Sequence, residues 1–383
     1  MADKRYLLTP GPTPVPPSVL AAMSEPIIGH RGSDFKRLAG NVLMQLRDVY
    51  CTRDEVLLFS SSGTGAMESA VANLLSPGDR AVVVSAGNFG ERWAAIAGAY
   101  GCEVESLRYA WGETPSAADL AAQLRDLGGA VAVFLTHSET STGVVCDLEA
   151  LAAVAREAGA LVVVDAISSL GAVPVETDEW GLDVVVSGSQ KALMTPPGLA
   201  MASVSPRAWE ANGRAALPRF YFDWARTRKA QEQPQTPFTP AISIVVGLNV
   251  ALQLLLEEGL PTVFDRHVRL GRACREGVKA MGLELFSPDE DRSAVVTAIR
   301  MPDGVDGQEV VGTVRERLGV TLAGGQGELR GKVVRIGHIG YVDIFDVVTA
   351  LAALELALTE AGADIERGVA TARALSVFEH TTV

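Results

Sequence analysis

Residues 161–204 read LVVVDAISSLGAVPVETDEWGLDVVVSGSQKALMTPPGLAMASV. Three short apolar runs stand out in this stretch: Leu161–Val164, Val184–Val186 and Leu199–Val204. They are rich in valine and continuous rather than alternating, which marks strands buried on both faces. The same kind of run recurs upstream at Val56–Phe59, Ala81–Val84 and Val131–Leu135. Between the runs, Ala66–Leu75, Arg92–Tyr100, Ala117–Leu127 and Leu148–Ala158 carry apolar residues at helical spacing. Strand–helix alternation of this kind predicts an α/β fold whose mostly parallel sheet is flanked by helices.

Working outward, Asp34–Tyr50 is a further helix candidate, with Phe35, Leu38, Val42, Leu43 and Leu46 on one face. Ahead of it, LLTPGPTPVPP at Leu7–Pro17 can be neither a helix nor a central strand, and reads as an extended arm crossing a surface or a subunit. Downstream, Arg214–Pro240 mixes aromatics, charges and prolines and reads as an irregular functional loop. Helices are then expected at Ile242–Glu257 and Pro261–Met281, followed by a strand at Val295–Arg300 and a helix at Gly307–Leu318. A strand at Val333–Ile336 and helices at Asp343–Ala361 and Asp364–Val377 complete a smaller C-terminal α+β unit. The expected division is an arm at 1–17, a large domain at 18–259 and a small domain at 260–383, with no internal repeat.

Composition narrows the function classes. The 383 residues are 48% hydrophobic, as in a packed globular protein, and a chain of this length suits two domains. The formal net charge of −13 argues against nucleic acid or an anionic membrane as main partner, since both require a basic patch. Cys51, Cys102, Cys146 and Cys274 show no C-x-x-C pairing and no zinc-ligand spacing. Free thiols, the lack of a signal-peptide apolar core in Met1–Pro17, and the lack of any apolar run near the roughly 20 residues of a membrane span give a cytoplasmic expectation.

The candidate chemistry sits at the ends of the apolar runs. Lysine occurs only at 4, 36, 191, 229, 279 and 332, and Lys191 is the single charge between Asp183 and Arg207. It follows Val184–Val186 among small residues, where an amine would be partly desolvated and so a usable nucleophile toward an aldehyde. Taken alone, a solvated loop lysine reads equally well. Asp165 closes Leu161–Val164; it is either a helix cap or a carboxylate that pairs with a protonated ring nitrogen. Ser61–Gly65 (SSGTG) lies between a strand and a helix, where Ser62, Gly63 and Thr64 could cradle a phosphate or simply form a capped turn. Phe89 in GNFGER could stack on a flat ring or pack in the core. THSETSTG places His137, Glu139 and Thr140 at a strand end, as ligand contacts or as a polar turn. Arg335 in KVVRIGHIG needs an anionic partner, either a substrate carboxylate or an ion pair.

The joint order is stronger than any member. A phosphate loop, a stacking aromatic, an aspartate after one buried strand, Ser-x-Gln-Lys after the next and a late arginine are what a lysine-bound pyridoxal phosphate (PLP) requires. A metal site would need clustered ligands, and the five histidines are dispersed. A nicotinamide site would need a Gly-rich fingerprint with an acidic residue about 20 positions on.

VVVDAISSLGAVPVETDEWGLDVVVSGSQKALMTPPG, with LLTPGPTPVPP before it and RIGHIGYV after it, resembles the class V aminotransferases of PLP fold type I. Within that family the chain is similar to the alanine–glyoxylate and serine–glyoxylate aminotransferases over nearly its whole length. The resemblance implies a homodimer in which the large domain binds PLP. Lys191 would hold the cofactor and shuttle a proton, and Asp165 would bind the pyridinium nitrogen. Ser62, Gly63, Thr64 and Gln190 would hold the phosphate, Phe89 would stack on the ring, and Thr140 would face the ring hydroxyl. Arg335 would bind the substrate carboxylate, with Gly11 and Pro12 near the substrate. Thr236 or Thr239, in QTPFTPAIS, would reach the partner subunit's phosphate, and His30 and Arg31 could reach a site across the dimer or lie on the surface. Cysteine desulfurases of the same family carry a histidine where this chain has Gln190, and Cys274 sits inside a helical pattern. An aminotransferase is therefore expected: a small amino acid, alanine or serine, as donor and glyoxylate as acceptor. Aspartate, 2-aminoethylphosphonate or phosphoserine as donor, and a non-catalytic subunit homologue, are the rivals.

Overall fold

Seven strands form the central sheet, in the spatial order Glu55–Phe59, Ala200–Val204, Val184–Gly188, Leu161–Asp165, Ala132–Thr136, Arg80–Ser85, Glu103–Arg108. The computed structural model describes residues 4–287 and 293–380; residues 1–3 of the expected arm, and 288–292 and 381–383 of the expected small domain, lie outside the description. From Val184–Gly188 to Glu103–Arg108 all neighbours run parallel, while Ala200–Val204 is antiparallel to both of its neighbours. Two reversals leave Glu55–Phe59 pointing the same way as Val184–Gly188. Every strand but Ala200–Val204 therefore ends at one edge, where α/β sheets keep their sites.

The valine-rich runs behave as expected. Leu161–Asp165 and Val184–Gly188 are buried throughout because helices cover both faces of the sheet. One core lies under helices Ser33–Val49, Leu148–Glu157 and Ile242–Glu258; the other lies under Gly63–Leu74 and Asn88–Ala99. Each fully buried valine or leucine in them contributes about 1.5–3 kcal/mol of transfer free energy.

Four local features depart from the sequence reading. The edge strand Glu103–Arg108 (EVESLR) has no apolar run to announce it; it forms by register with Arg80–Ser85. Helix Asn88–Ala99 begins four residues before the expected Arg92, so Phe89 lies in its first turn. A helix spans Pro17–Met23, at the end of the expected arm. Finally, the segment expected to be irregular between Arg214 and Pro240 holds a helix at Trp224–Gln231. Its prolines, at 218, 234, 237 and 240, flank the helix rather than interrupt it. Asp223 caps the helix by accepting from the Arg226 N–H, and the buried Trp224 indole donates to Ser69 Oγ at 3.1 Å.

Beyond Gly259 the chain turns by 87° between helices Ile242–Glu258 and Leu260–Ala280. A three-stranded antiparallel sheet follows, with Val333–Gly337 between Val296–Arg300 and Ala323–Gly324. It packs with helices Leu260–Ala280, Gly307–Leu318 and Ile344–Glu360 around a third core. The arm joins this C-terminal unit: Tyr6–Leu7 pairs with Val320–Thr321, and Leu8 is buried in the same core. Five residues later the Thr13 N–H donates to the Gln190 carbonyl at 3.2 Å, so the arm bridges both units. Among the described residues, no single helix is long and apolar enough to cross a membrane.

Candidate active site

The shared strand edge collects the predicted residues. Asp165 is the last residue of Leu161–Asp165, and Lys191 follows Val184–Gly188 by three. Ser62 precedes helix Gly63–Leu74 as its N-cap, without a side-chain capping bond. The Ser62 hydroxyl is thus not spent on the helix, and the first N–H groups of that helix have no intrahelical acceptor.

Asp165 is 4% exposed. Its Oδ1 accepts from the Ile167 N–H at 2.8 Å. Burial pushes its carboxyl up to about 7; the Ile167 bond, Lys191 and Arg92 oppose that rise, and Glu139 adds to it. Lys191 is also buried, and its Nζ donates to the Pro10 carbonyl at 2.6 Å. Burial pulls its amine down to about 8; Asp165 opposes this, whereas Arg335 and Arg92 assist it. A buried lysine near neutrality, flanked by Asp165, Arg335 and Arg92, is chemically suited to act as a nucleophile and a base rather than as a solvated surface cation. Gly11 lies so close that a Cβ there would collide with the Lys191 side chain. This puts Gly11, with the Pro10 carbonyl, beside the Lys191 amine, while the Pro12 carbonyl accepts from Thr9 Oγ1.

Arg335 enters from the C-terminal unit. Its Nε and Nη2 donate to the Gly324 carbonyl at 3.0 and 2.8 Å, and its Nη1 to the Thr140 carbonyl at 2.8 Å. Three of five N–H groups are thereby engaged, and one remains on each terminal nitrogen. That remaining fork matches a carboxylate. Burial lowers the guanidinium to about 10, with Glu139 opposing. No direct ion pair satisfies Arg335 among the described residues, so the ion-pair alternative gives way to a fork held by backbone carbonyls.

Two further residues are central to this arrangement: Glu139, which THSETSTG marks as a ligand contact or part of a polar turn, and Arg92, which no motif marks. Glu139 is buried and accepts from the Phe89 and Gly90 N–H groups at 2.9 and 3.1 Å, and from the Ser141 N–H and hydroxyl. It anchors the first turn of helix Asn88–Ala99, and hence Phe89, by placing a carboxylate at a helix N-terminus. Arg92 donates to Thr64 Oγ1 at 3.0 Å, and its guanidinium lies 4.6 Å from the Phe89 ring centroid. It ties the aromatic to the phosphate loop. The signal for Arg92 was its place in the helix: three residues after Phe89, it shares that face once the helix starts at Asn88.

Gln190 and Gly63 also come together. A Cβ on Gly188 would lie 2.9 Å from Gln190 Oε1 and 3.3 Å from the Gly63 N. Gln190 Oε1 is buried without a hydrogen-bond partner. Thr236 and Thr239 lie elsewhere, on a turn beside Ser60 and Phe238, and Thr236 Oγ1 donates to the Phe238 carbonyl. Arg31 braces that turn, donating to the Thr236 carbonyl at 2.7 Å and to Gln235 and Pro237. His30 makes no side-chain hydrogen bond among the described residues.

These residues fit PLP. A hydroxyl-bearing helix start suits a phosphate, with the Gln190 amide beside it able to donate through its NH2 group, a buried carboxylate suits a ring nitrogen, and a desolvated amine suits the aldehyde. Among the described residues no cluster of His, Cys, Asp or Glu could hold a metal ion.

Comparison with known proteins agrees. The family described as aminotransferase class-V matches residues 5–335. The chain is 45% identical to the small subunit of a soluble hydrogenase of Synechococcus sp., over 94% of this chain and 95% of that one. It is 37% identical to the L-aspartate–glyoxylate aminotransferase of Paracoccus denitrificans, over 100% and 98% of the two chains. The crystal structure of ureidoglycine–glyoxylate aminotransferase from Bacillus subtilis superposes with a TM-score of 0.95 at 32% identity, covering 99% of each chain. With a buried lysine, an aspartate on the adjacent strand and a match reaching from the arm to Arg335, the chain belongs to the class-V aminotransferases and is a PLP-dependent transaminase.

Proposed function

We propose that this protein moves an amino group from a small amino acid, alanine or serine, to glyoxylate. The observation that carries the reading is the Arg335 fork, held by backbone carbonyls and near enough to Lys191 to act on its charge. The two transaminases described above differ in donor and share glyoxylate, which supports the acceptor. The donor follows from charge: the cations felt by Lys191 are Arg335 and Arg92, and Arg92 is committed to Thr64 and Phe89. One fork accommodates one carboxylate. Aspartate or phosphoserine carries a second anion, which would need a further cation.

When bound, PLP acts as an electron sink for the substrate Cα. Ser62, Gly63, Thr64 and Gln190 hold its phosphate, Phe89 covers its ring and Thr140 faces the ring hydroxyl. Asp165 keeps a proton on the ring nitrogen. Arg335 orients the substrate by its α-carboxylate. Lys191 takes the Cα proton and returns it, a general base whose affinity near neutrality suits both directions. A donor and then an acceptor use the same groups in two half-reactions. We place Thr236 or Thr239 at the phosphate of a partner subunit in a homodimer. The free thiols of Cys51, Cys102 and Cys274 support a reducing, cytoplasmic setting.

The hydrogenase-subunit relative raises a second reading, a subunit without catalysis. Intact Lys191, Asp165 and Arg335 weigh against it, since a scaffold needs none of them. A donor-by-acceptor activity matrix on the purified protein, read together with its cofactor absorbance, tests both. Turnover with glyoxylate and alanine or serine is expected, with loss of the yellow colour on adding donor alone. A protein that stays colourless with added PLP would sink the catalytic reading, and a preference for aspartate would sink the donor.

The Lys191 environment also predicts a pH profile. A solvent lysine loses its proton near 10.5, whereas burial brings Lys191 to about 8. The rate at which cofactor-free protein captures PLP is expected to rise with pH and level off just above 8. A rise that continues to pH 10 would show a solvated amine.

A further inference from the structure

His267 lies in helix Leu260–Ala280, far along the chain from every residue assigned above, and is fully buried. Its Nε2 accepts from the Gly340 N–H at 3.0 Å, so the ring proton resides on Nδ1, which donates to the Val263 carbonyl at 2.7 Å. The preceding residue holds the other side of the same turn: Arg266 Nη1 donates to the Gly340 carbonyl at 3.0 Å. Arg266 is itself fixed by Glu258, at 2.7 Å from Nε. Both backbone polar groups of Gly340 are thus clamped by consecutive residues of one helix.

Gly340 touches the catalytic segment. It has φ +80°, and a Cβ there would lie 2.9 Å from the Lys191 carbonyl oxygen and 3.2 Å from Thr13 Oγ1. That same carbonyl accepts from Thr13 Oγ1 at 2.9 Å and from the Met194 N–H at 3.0 Å. The Lys191 backbone is therefore held by the arm, by its own loop and by a turn from the C-terminal unit. The turn lies five residues after Arg335 on the same continuous segment.

We infer that His267 and Arg266 are positioning residues for transamination: by clamping Gly340 they fix the Lys191 backbone in register with Arg335. This rests on Lys191 being the cofactor lysine. Burial, reinforced by Arg266, holds the His267 ring neutral down to about 3, so the clamp is constant across the working range of pH. Neither residue reaches the substrate. The clamp acts on where the amine stands relative to the carboxylate fork, and a small displacement there costs rate rather than binding.

The test uses the holoenzyme and its cofactor-free form. His267→Leu removes the acceptor for the Gly340 N–H; His267→Gln places an amide oxygen close to where Nε2 stood. For His267→Leu, kcat is expected to fall about tenfold with KM for the amino donor within about twofold of the parent. Capture of PLP by the cofactor-free protein, followed by borohydride trapping at Lys191, is expected to slow by a similar factor. His267→Gln is expected to restore both. If His267→Leu does not fold, Arg266→Met removes the side-chain donor to the Gly340 carbonyl from a half-buried position, leaving it only the Val342 N–H at 3.0 Å, and should show the same kcat loss at unchanged KM. A His267→Leu or Arg266→Met protein with parental kcat and capture rate overturns the inference, as does a His267→Gln protein no better than His267→Leu. A parent protein that traps no PLP at Lys191 overturns the assignment of Lys191 and this inference with it, which separates the two failures.

Discussion

Lys191→Ala is expected to abolish transamination, lowering kcat by at least about 10⁴-fold. The reason is local. The cations that share its pocket are Arg335 and Arg92. Guanidinium groups stay protonated and cannot take up a proton from carbon. Two functions are lost together, the covalent hold on the cofactor and the base at the substrate Cα. The change removes a buried amine and leaves a small apolar residue, so the fold should persist. Steady-state assays with alanine or serine and glyoxylate, with circular dichroism as the control for folding, give the answer. A variant that transaminates at the parental rate would remove Lys191 from the mechanism.

Asp165→Asn should lower kcat by about 10²–10³-fold with KM little changed. Asparagine keeps an oxygen for the Ile167 N–H, so the cap-like bond at 2.8 Å survives while the charge is lost. If Asp165 served only as a cap, activity would remain parental. Stability offers an independent readout. Burial raises the folded-state carboxyl from 3.8 to about 7. A raised value means that the contribution of this group to stability is present below pH 4 and fades as pH rises through about 7. The cofactor-free asparagine variant has no ionised form to bury. It is therefore expected to melt no lower than the parent at pH 8, and the relative gain should vanish at pH 4. A parent more stable than the variant at pH 8 would indicate that the Lys191 attraction outweighs desolvation in this pair.

The sequence by itself determined the sheet, the order of the site elements and the identity of Lys191, Asp165 and Arg335 as candidates. Continuous valine runs admit little besides strands buried on both faces, and the chain order of a doubly covered sheet sends successive strand ends to one edge. Periodicity was silent where pairing or capping decided. Glu103–Arg108 becomes a strand through its neighbour's backbone, and Trp224–Gln231 becomes a helix because Trp224 finds a cavity and Ser69 a donor. Charge states were equally out of reach: a lysine in a loop reads as solvated until burial brings it to about 8. Contacts between residues distant in sequence belong to the tertiary structure alone. THSETSTG points to Glu139 but not to its place beneath Phe89, and Arg92 between Phe89 and Thr64 and His267 behind Gly340 carry no motif, because each acts through backbone groups or neighbours that only folding brings within 3 Å or so.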